Sequence, residues 1–498
     1  MSCLLSCCSK RKTISSSNVL LVVPPFLKYT AGPLLGPALL QAAARKRGHT
    51  CEVLDLNALW IEKFRGINGV VPSDREPFVG DHDKPIDSTF LKEAEKSLYH
   101  AIASTFAKGE WKRKMWTKDI KFGFLEHDEV EAMATNLAYD HSAESFGTLV
   151  LNQFALLEDN GSTPSTLGIS ILHAGQIIPS IAVGMLARDM FPDVLIVWGG
   201  PHISGLGEEA FRSDLQRRCY ASDIFVAGHA EETFVDILEK PQYRDISLGK
   251  CKVQFVRGKG GAIPYAPSFE NLSLYDQPPV FPAQSTLGCA YGRCAFCTYP
   301  KMEPVPRKLD LQITVESVVE QAMEVGGTLA LKDSLVTPKR LEEIANIIAG
   351  RVKWSACTKL HPKLADVFLL ETLTYNGLTT LEVGLESLLP ETQRRVAKEH
   401  PPCLLEDFLA AADLASDLAI VVNYITNFPW EDEAESIAGL DAAKELVNYY
   451  LGSKGKVEHN SFELERQSPI AQSPAKYAIC SGSLRYYPWA SIVPYEVM

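Results

Sequence analysis

The first half of the chain alternates short, continuously apolar runs with longer segments whose apolar residues recur at helical spacing. The apolar runs that predict strands are residues 19–23, 51–56, 167–172, 194–198 and 223–227. The periodic segments that predict helices are residues 37–47, 178–190, 208–218 and 231–239. Strands that are apolar on both faces and separated by helices form parallel sheets with helices on each side. We therefore predict a doubly wound α/β domain of about five strands over residues 18–240.

Two segments interrupt or follow this alternation. Residues 61–166 are polar and rich in charge, with helical patches at 91–108 and 127–137 and no clear strand. Because structureless loops of that length are uncommon inside compact domains, we predict a helical insertion. Residues 241–281 contain a stretch punctuated by glycine and proline, which is typical of a linker between two domains.

The rhythm of strand and helix returns in the second half of the chain. The predicted strands are residues 282–285, 328–331, 353–357, 380–384, 420–426 and 457–463. The predicted helices are residues 314–325, 338–350, 362–376, 390–398, 404–416 and 431–451. Six strand–helix units are too few for a complete eight-stranded barrel. We predict a partial (β/α)6 barrel over residues 282–475 and a C-terminal tail over residues 476–498.

The composition is that of an ordinary globular protein. The chain has 498 residues, of which 46% are hydrophobic and 22% are charged. Its longest apolar runs fall well short of the ~20 residues that a membrane-spanning helix needs, so we expect no transmembrane segment. The formal net charge of −12 argues against general nucleic-acid binding, which depends on clustered lysine and arginine.

The cysteine content points to a reducing compartment. Twelve cysteines in so long a chain are too sparse for a disulfide scaffold, and we expect a cytoplasmic location. Residues 1–17 lack the apolar core of a secretory signal and are predicted to be a disordered tail. S-acylation at Cys3, Cys7 and Cys8, which precede a basic run, stays open as an alternative for this tail.

Three of the cysteines lie close together in a segment that follows a predicted strand. Cys289, Cys294 and Cys297 fall in the sequence Cys-x4-Cys-x2-Cys, at the strand end where α/β folds build active sites. A structural zinc ion requires four protein ligands, and further candidates lie tens of residues away in the sequence. An iron–sulfur cluster on three thiolates leaves one iron open to a substrate. The spacing favours such a cluster over zinc and over unliganded cysteines.

Two motifs in the first domain accompany this loop. Gly199-Gly200-Pro201-His202 follows one predicted strand, and Val226-Ala-Gly228-His-Ala-Glu231-Glu232 follows the next. The cysteine loop and partial barrel resemble those of radical S-adenosylmethionine (SAM) enzymes. The preceding domain resembles that of the cobalamin-binding subclass, and the resemblance extends from residue 18 to about residue 480. It implies a [4Fe-4S] cluster on the three cysteines, SAM at the open iron and cobalamin in the first domain.

The resemblance also assigns site residues. Positions that match the SAM-binding segments of the family are Phe296, Tyr299, Asp333, Ser334, Glu386 and Asn427. It implies that Phe296 packs near adenine, Asp333 contacts the SAM amino group and Glu386 contacts the ribose hydroxyls. Positions that match the cobalamin-binding loops are Ser170, Gly199, Gly200, Pro201, His202 and Gly228.

The chain departs from the family pattern at two points. Its first two cysteines are separated by four residues, whereas three is the commonest spacing in radical SAM enzymes. The chain also lacks the Asp-x-His-x-x-Gly motif that supplies a histidine ligand to cobalt in many cobalamin proteins. We therefore expect either cobalamin binding without a histidine ligand or a domain that no longer binds the cofactor.

The resemblance implies an enzyme that cleaves SAM reductively to a 5′-deoxyadenosyl radical. We expect cobalamin-dependent methylation of an unactivated centre in a small molecule or peptide, with electrons from a partner such as flavodoxin or ferredoxin. Catalytic residues beyond the cluster are not assigned. The alternatives are a radical SAM cyclase, reductase or rearrangement enzyme, and a non-catalytic interaction protein stabilised by zinc or a cluster.

Overall fold

A computed structural model of the chain describes residues 16–25, 31–67, 121–140, 142–143, 145–213, 221–240, 254–258, 265–415 and 417–498. The N-terminal cysteines and the helical patch predicted at 91–108 lie outside the described residues. Within them the chain builds two six-stranded sheets whose neighbouring strands are all parallel. No described helix combines the length and apolar character needed to cross a membrane.

The first sheet has the strand order β2-β1-β3-β4-β5-β6. Its strands are β1 (Asn18–Val23), β2 (Thr50–Asp55), β3 (Thr166–Ser170), β4 (Leu195–Gly199), β5 (Ile224–Ala227) and β6 (Gln254–Arg257). Five correspond to the predicted strands. The sixth, β6, lies in the segment that was predicted to be a linker and pairs with β5 at the edge of the sheet. Its four residues are too short to show periodicity, so the ladder to β5 defines it.

Helices cover both faces of this sheet. They are α1 (Leu35–Lys46), α2 (Leu56–Ile67), α3 (His127–Ala138), α4 (Phe146–Asp159), α5 (Ile177–Met190), α6 (Pro201–Leu206), α7 (Glu208–Ser213) and α8 (Glu231–Glu239). Alternate residues of β1 enter two different core clusters, Leu20 and Val22 in one and Val19 and Leu21 in the other. Such burial on both faces explains the continuously apolar strands. Helices α3 and α4, within the segment predicted as an insertion, pack against α5.

The second sheet keeps its strands in chain order. They are β7 (Val280–Ala283), β10 (Thr328–Leu331), β11 (Trp354–Lys359), β12 (Leu378–Glu386), β13 (Ala419–Thr426) and β14 (Gly455–Ser461). Its helices are α10 (Ser317–Val325), α11 (Pro338–Ile348), α12 (Val367–Tyr375), α13 (Pro390–Arg395), α14 (Leu404–Leu414) and α15 (Glu433–Leu451). Between β7 and β10 lie β8 (Thr286–Leu287), α9 (Tyr299–Met302) and β9 (Arg307–Lys308). Among the described residues β7 and β14 are edges that do not pair with each other, so the predicted partial barrel is an open six-stranded sheet.

The two sheets are joined by polar contacts and by the C-terminal segment. The Tyr275 hydroxyl donates to the Asp55 carboxylate at 2.9 Å across the domains. Residues 476–498 were expected to be a tail, but they form bridges such as Ile479 to Val497. Trp489 from this segment is fully buried in the core of the first domain. Burial of so large an aromatic surface fixes this segment against the first sheet.

Candidate active site

The cysteine loop begins at Ser285, where the chain leaves β7. The buried Asp333 carboxylate, just after β10, accepts hydrogen bonds from the Ser285 backbone N–H at 3.1 Å and its hydroxyl at 2.9 Å. The Thr286 N–H and hydroxyl both donate to the same carboxylate at 2.5 Å. Burial raises the pKa of Asp333, and these donors act against that shift. The carboxylate predicted to contact the SAM amino group therefore also fixes the start of the loop.

A buried arginine holds the other side of the same peptide. Arg340 of α11 donates to the Ser285 carbonyl at 2.7 Å and to the Leu309 carbonyl at 2.6 Å. Its guanidinium also pairs with Glu343 at 2.8 Å. Sequence reasoning missed Arg340, because a charged residue in an amphipathic helix normally indicates a solvated face. Its contacts connect the beginning of the cysteine loop with the chain that returns through β9.

The three cysteines are free and partly buried. Burial raises the pKa of Cys297 to about 12, and neighbouring charges, including those of Cys294 and Cys289, act in the same direction. Backbone contacts fold the loop around these thiols, since the Gly292 N–H donates to the Cys289 sulfur at 3.5 Å and the Cys297 N–H donates to the Cys294 carbonyl at 3.2 Å. Across the described chain, no three His, Cys, Asp or Glu side chains converge as ligands of a single ion. A [4Fe-4S] cluster binds each thiolate at a different iron, so closely spaced but separate sulfur atoms suit it better than one zinc ion.

The middle of the loop packs against the residues that follow α13. The Ala295 N–H donates to the Val396 carbonyl at 3.0 Å, and the Tyr291 hydroxyl donates to the Ala397 carbonyl. Ala397 has a left-handed backbone with φ of 56°. The helix predicted over 390–398 accordingly ends at Arg395, and the turn after it contacts the cysteine loop.

The next residue in this turn forms a buried ion pair at the end of β12. The Lys398 ammonium donates to the Glu386 carboxylate, and both side chains are close to fully buried. Burial acts to lower the pKa of Lys398, but the charges of Glu386 and Cys294 outweigh it and raise that pKa. Gly384 permits this packing, since an added Cβ would lie 2.5 Å from the Lys398 nitrogen. The sequence predicted Glu386 as a site residue and missed Lys398.

The other predicted SAM residues divide into two groups. The Ser334 hydroxyl donates to the Gly288 carbonyl at 3.0 Å beside the loop, and burial raises the pKa of the nearby Tyr299 to about 12. Phe296 instead packs in an apolar cluster, with its ring centroid 6.3 Å from that of Phe428. Asn427, adjacent to Phe428, has a left-handed φ of 60° and donates from its side chain to Ser461 at 3.2 Å. Their proposed contacts with SAM remain predictions.

Further polar residues that sequence reasoning missed lie on the sheet face opposite its helices. Cys357 of β11 and Glu382 of β12 are direct neighbours in the strand register. The Asn423 amide of β13 donates to Glu382 at 2.6 Å. Burial lowers the pKa of Lys332 at the end of β10, and the charge of Glu382 opposes that shift. Period-two alternation of these polar residues with core residues was the available signal.

The glycine-rich motifs of the first domain lie at the carboxyl ends of β4 and β5. Gly200 has φ of 107°, and a Cβ there would lie 2.3 Å from the Ile171 carbonyl oxygen. The position therefore requires glycine. The Ser204 hydroxyl links the two motifs, because it donates to the Gly200 carbonyl at 3.0 Å and accepts from the Gly228 N–H at 2.8 Å. Ser170, at the end of β3, pairs with Gly199 in the same row of strand ends.

The side chain of His202 lies beneath the C-terminal segment. Its ring is buried, and its Nε2 lies 2.9 Å from the Trp489 carbonyl oxygen. Because that partner only accepts, Nε2 carries the proton. Burial lowers the pKa of His202 to about 4. The C-terminal segment therefore covers the imidazole, and the predicted contact of His202 with cobalamin stays a prediction.

The strand ends of the first domain meet the end of the cysteine loop. His229, next to Gly228, has its Nε2 3.4 Å from the Glu303 carboxylate. Arg307 pairs with the same carboxylate at 3.6 Å. Glu303 follows α9 and the third cysteine by a few residues, so this contact brings the two candidate cofactor sites to one junction between the domains.

Comparison with known proteins gives structural matches alone. No protein-family profile matches the chain, and no curated protein does. The fold is similar to that of the radical SAM methyltransferase TsrM from Kitasatospora setae, solved with cobalamin and a [4Fe-4S] cluster. The TM-score is 0.57 at 14% identity, over 94% of this chain and 77% of TsrM.

A second structure of TsrM, with tryptophan substrate and a SAM analogue, matches with a TM-score of 0.54 at 13% identity, over 92% of this chain and 76% of TsrM. The cobalamin-dependent radical SAM enzyme OxsB, with aqua-cobalamin and SAM bound, matches with a TM-score of 0.62 at 12% identity. That match covers 97% of this chain and 65% of OxsB. At such identities the likeness concerns the fold alone, which is similar to the folds of these cobalamin-dependent radical SAM enzymes and agrees with the predicted α/β class.

Proposed function

We propose that this chain is a cobalamin-dependent radical SAM enzyme that methylates an unactivated centre in a small molecule or peptide. The observation that carries the proposal is the junction at His229 and Glu303, where the strand ends of one sheet meet the cysteine loop of the other. Methyl transfer that combines two cofactors requires their sites to open toward a common space. TsrM and OxsB, whose fold this chain shares, were solved with cobalamin bound.

The residues of the cysteine loop fit a [4Fe-4S] cluster on Cys289, Cys294 and Cys297. When bound, the cluster and SAM supply one-electron cleavage of a carbon–sulfur bond, and cobalamin supplies methyl transfer. Asp333 and Arg340 hold the peptide at Ser285 from its two sides and thereby fix where the loop begins. The buried pair of Lys398 and Glu386 presents both charges near Cys294, and we assign it to orienting the polar groups of SAM.

Glycines and histidines at the strand ends of the first domain support cobalamin binding without a histidine ligand. Gly199, Gly200 and Gly228 leave the carboxyl ends of β4 and β5 without side chains. The nearby histidines have other contacts: the His173 Nδ1 accepts from the Gly175 N–H at 3.2 Å, His202 faces Trp489 and His229 faces Glu303. We propose that cobalamin binds over these glycines without a histidine ligand from the chain.

Anaerobic purification followed by iron, sulfide and cobalt analysis tests the assignment. We expect about four irons per chain together with cobalamin, and both S-adenosylhomocysteine and 5′-deoxyadenosine once a substrate is found. Four irons and 5′-deoxyadenosine without cobalt binding would instead identify a cyclase, reductase or rearrangement enzyme. Zinc without iron would identify a non-catalytic protein and overturn the proposal.

A further inference from the structure

A short segment after the second sheet contacts both candidate cofactor sites. We call residues 464–470, which follow β14, the strap. The last residues of the chain hold it in place, because the Val493 N–H donates to the Leu464 carbonyl at 2.8 Å. The Arg466 N–H donates in turn to the Ser491 carbonyl at 2.7 Å. Leu464 is fully buried, so the strap is a fixed part of the fold.

The strap bonds the backbone of the cysteine loop at two points. The Glu465 carboxylate accepts from the Thr298 N–H at 2.6 Å, and Thr298 directly follows the third cysteine. The Ile470 N–H donates to the carbonyl of Ala295, between the second and third cysteines, at 3.1 Å. A backbone N–H bonds more strongly to a carboxylate than to a neutral acceptor. The strap therefore fixes the stretch of loop that carries these two cysteines.

A neighbouring side chain of the strap bonds the first domain. The Gln467 Nε2 donates to the Ser204 carbonyl and to the Gly205 carbonyl, at 2.8 Å in each case. Both carbonyls belong to the last turn of α6, where helix carbonyls have no partner within the helix. Gly207 permits the close approach, since an added Cβ would lie 2.9 Å from the Gln467 amide. Because the Ser204 hydroxyl links the two glycine motifs, Gln467 reaches the backbone of the candidate cobalamin site.

The contacts with the two domains are close together in the chain. A single residue separates Glu465 from Gln467, so their Cα atoms are at most about 7 Å apart. So short a length of backbone leaves little freedom between the peptide after the third cysteine and the end of α6. A displacement of α6 should therefore move the cysteine loop as well.

We propose that Glu465 and Gln467 are positioning residues, which hold the third cysteine and the glycine motifs of the first domain at a fixed separation. The inference rests on the proposed function, because a reaction that combines two cofactors requires their sites to keep one geometry. A misplacement of about 1 Å can slow a reaction by about 100-fold. The strap therefore contributes to the reaction through the placement of both sites.

Isosteric substitutions test the two contacts. Gln467→Glu keeps the size of the side chain but replaces its N–H donor with an oxygen that only accepts and faces two carbonyl oxygens. Glu465→Gln keeps an oxygen that accepts from the Thr298 N–H, whereas Glu465→Leu removes the acceptor. The matched control is Gln312→Glu, which makes the same change at an exposed position of the second domain.

Hydrogen–deuterium exchange of the anaerobically purified full chain, measured by mass spectrometry, reports on both contacts without a substrate. Gln467→Glu should raise exchange roughly fivefold in residues 200–207 and also in the cysteine loop, residues 289–302. Glu465→Leu should raise exchange in the same two peptides. Glu465→Gln and the control Gln312→Glu should exchange like the wild type.

The EPR spectrum of the cluster gives a second measurement. After loading with iron and sulfide and reduction by dithionite, the cluster lines should be broader in Gln467→Glu than in Gln312→Glu, because the loop is held less uniformly. Identical spectra would overturn the inference, as would exchange that rises only beside the substituted residue. Equal exchange in Glu465→Leu and Glu465→Gln would overturn it as well.

Two further outcomes are distinguished by the same experiment. Exchange that rises equally in every peptide, including α15, would show a general loss of stability and overturn the positioning role. A wild-type chain that binds no iron would refute the proposed function itself. The exchange of residues 200–207 and 289–302 would in that case still decide whether the strap couples the two sites.

Discussion

The buried imidazole of His202 makes the stability of the first domain sensitive to acid. The folded-state pKa is about 4, whereas an unburied histidine titrates near 6.5. As the pH falls, the unfolded chain therefore takes up a proton at a higher pH than the folded chain does. The free energy of unfolding is greatest above about pH 6.5 and decreases as the pH drops toward 4. A difference of 2.5 pKa units corresponds to about 3 kcal/mol, of which about 2 kcal/mol is lost by pH 5.

His202→Gln removes the titration and keeps an N–H donor for the Trp489 carbonyl. We expect the variant to be about 1 kcal/mol less stable than the wild type at pH 7.5, where the imidazole is neutral and well packed. At pH 5 the order should reverse, because the glutamine has no proton to take up. Urea unfolding followed by tryptophan fluorescence at both pH values measures the two differences.

The same variant tests where the imidazole points. Because its Nε2 is bound to the Trp489 carbonyl in a buried position, His202→Gln should retain the cobalt content of the wild type. If the variant and the wild type differ in unfolding free energy by the same amount at pH 7.5 and at pH 5, the burial argument is refuted. Loss of cobalt with stability preserved would show that His202 faces the cofactor.

Three further predictions concern the cluster loop and the glycine motif. Cys294→Ala should abolish iron binding at the cluster and all SAM cleavage, while Cys403→Ala, an exposed cysteine, should have no effect on iron content or 5′-deoxyadenosine yield. Arg340→Met should lower the free energy of unfolding by about 2–4 kcal/mol, because two carbonyls lose a charged donor. If the variant binds as much iron as the wild type and its second domain unfolds at the same denaturant concentration, Arg340 does not position the loop. Gly200→Ala should cost at least ~2 kcal/mol from φ strain and the clash with Ile171, whereas Gly36→Ala, with open space around it, should be near neutral in thermal unfolding.

The spacing of apolar residues predicted strands best where both faces of the strand are buried. Strands β1 and β4 are apolar on both faces because core clusters lie on each side, and such runs are visible in the sequence. The edge strand β6 was missed because its assignment depends on pairing with β5 and not on its own four residues. The turn that ends α13 was missed for a similar reason: Ala397 adopts a left-handed conformation that its residue type does not announce.

The amino-acid sequence by itself determined the two α/β units, the three neighbouring cysteines and the glycines at the strand ends. These features are local, since they depend on apolar spacing, thiol spacing and backbone freedom within a few residues. Only the tertiary structure brought Arg340 to the Ser285 carbonyl, Lys398 to Glu386, and Trp489 to His202. Each of these pairs joins residues from different elements, and a buried charge or imidazole N–H is stable in a core only beside a hydrogen-bond partner. Residue type alone therefore could not reveal which polar groups the fold would bury together.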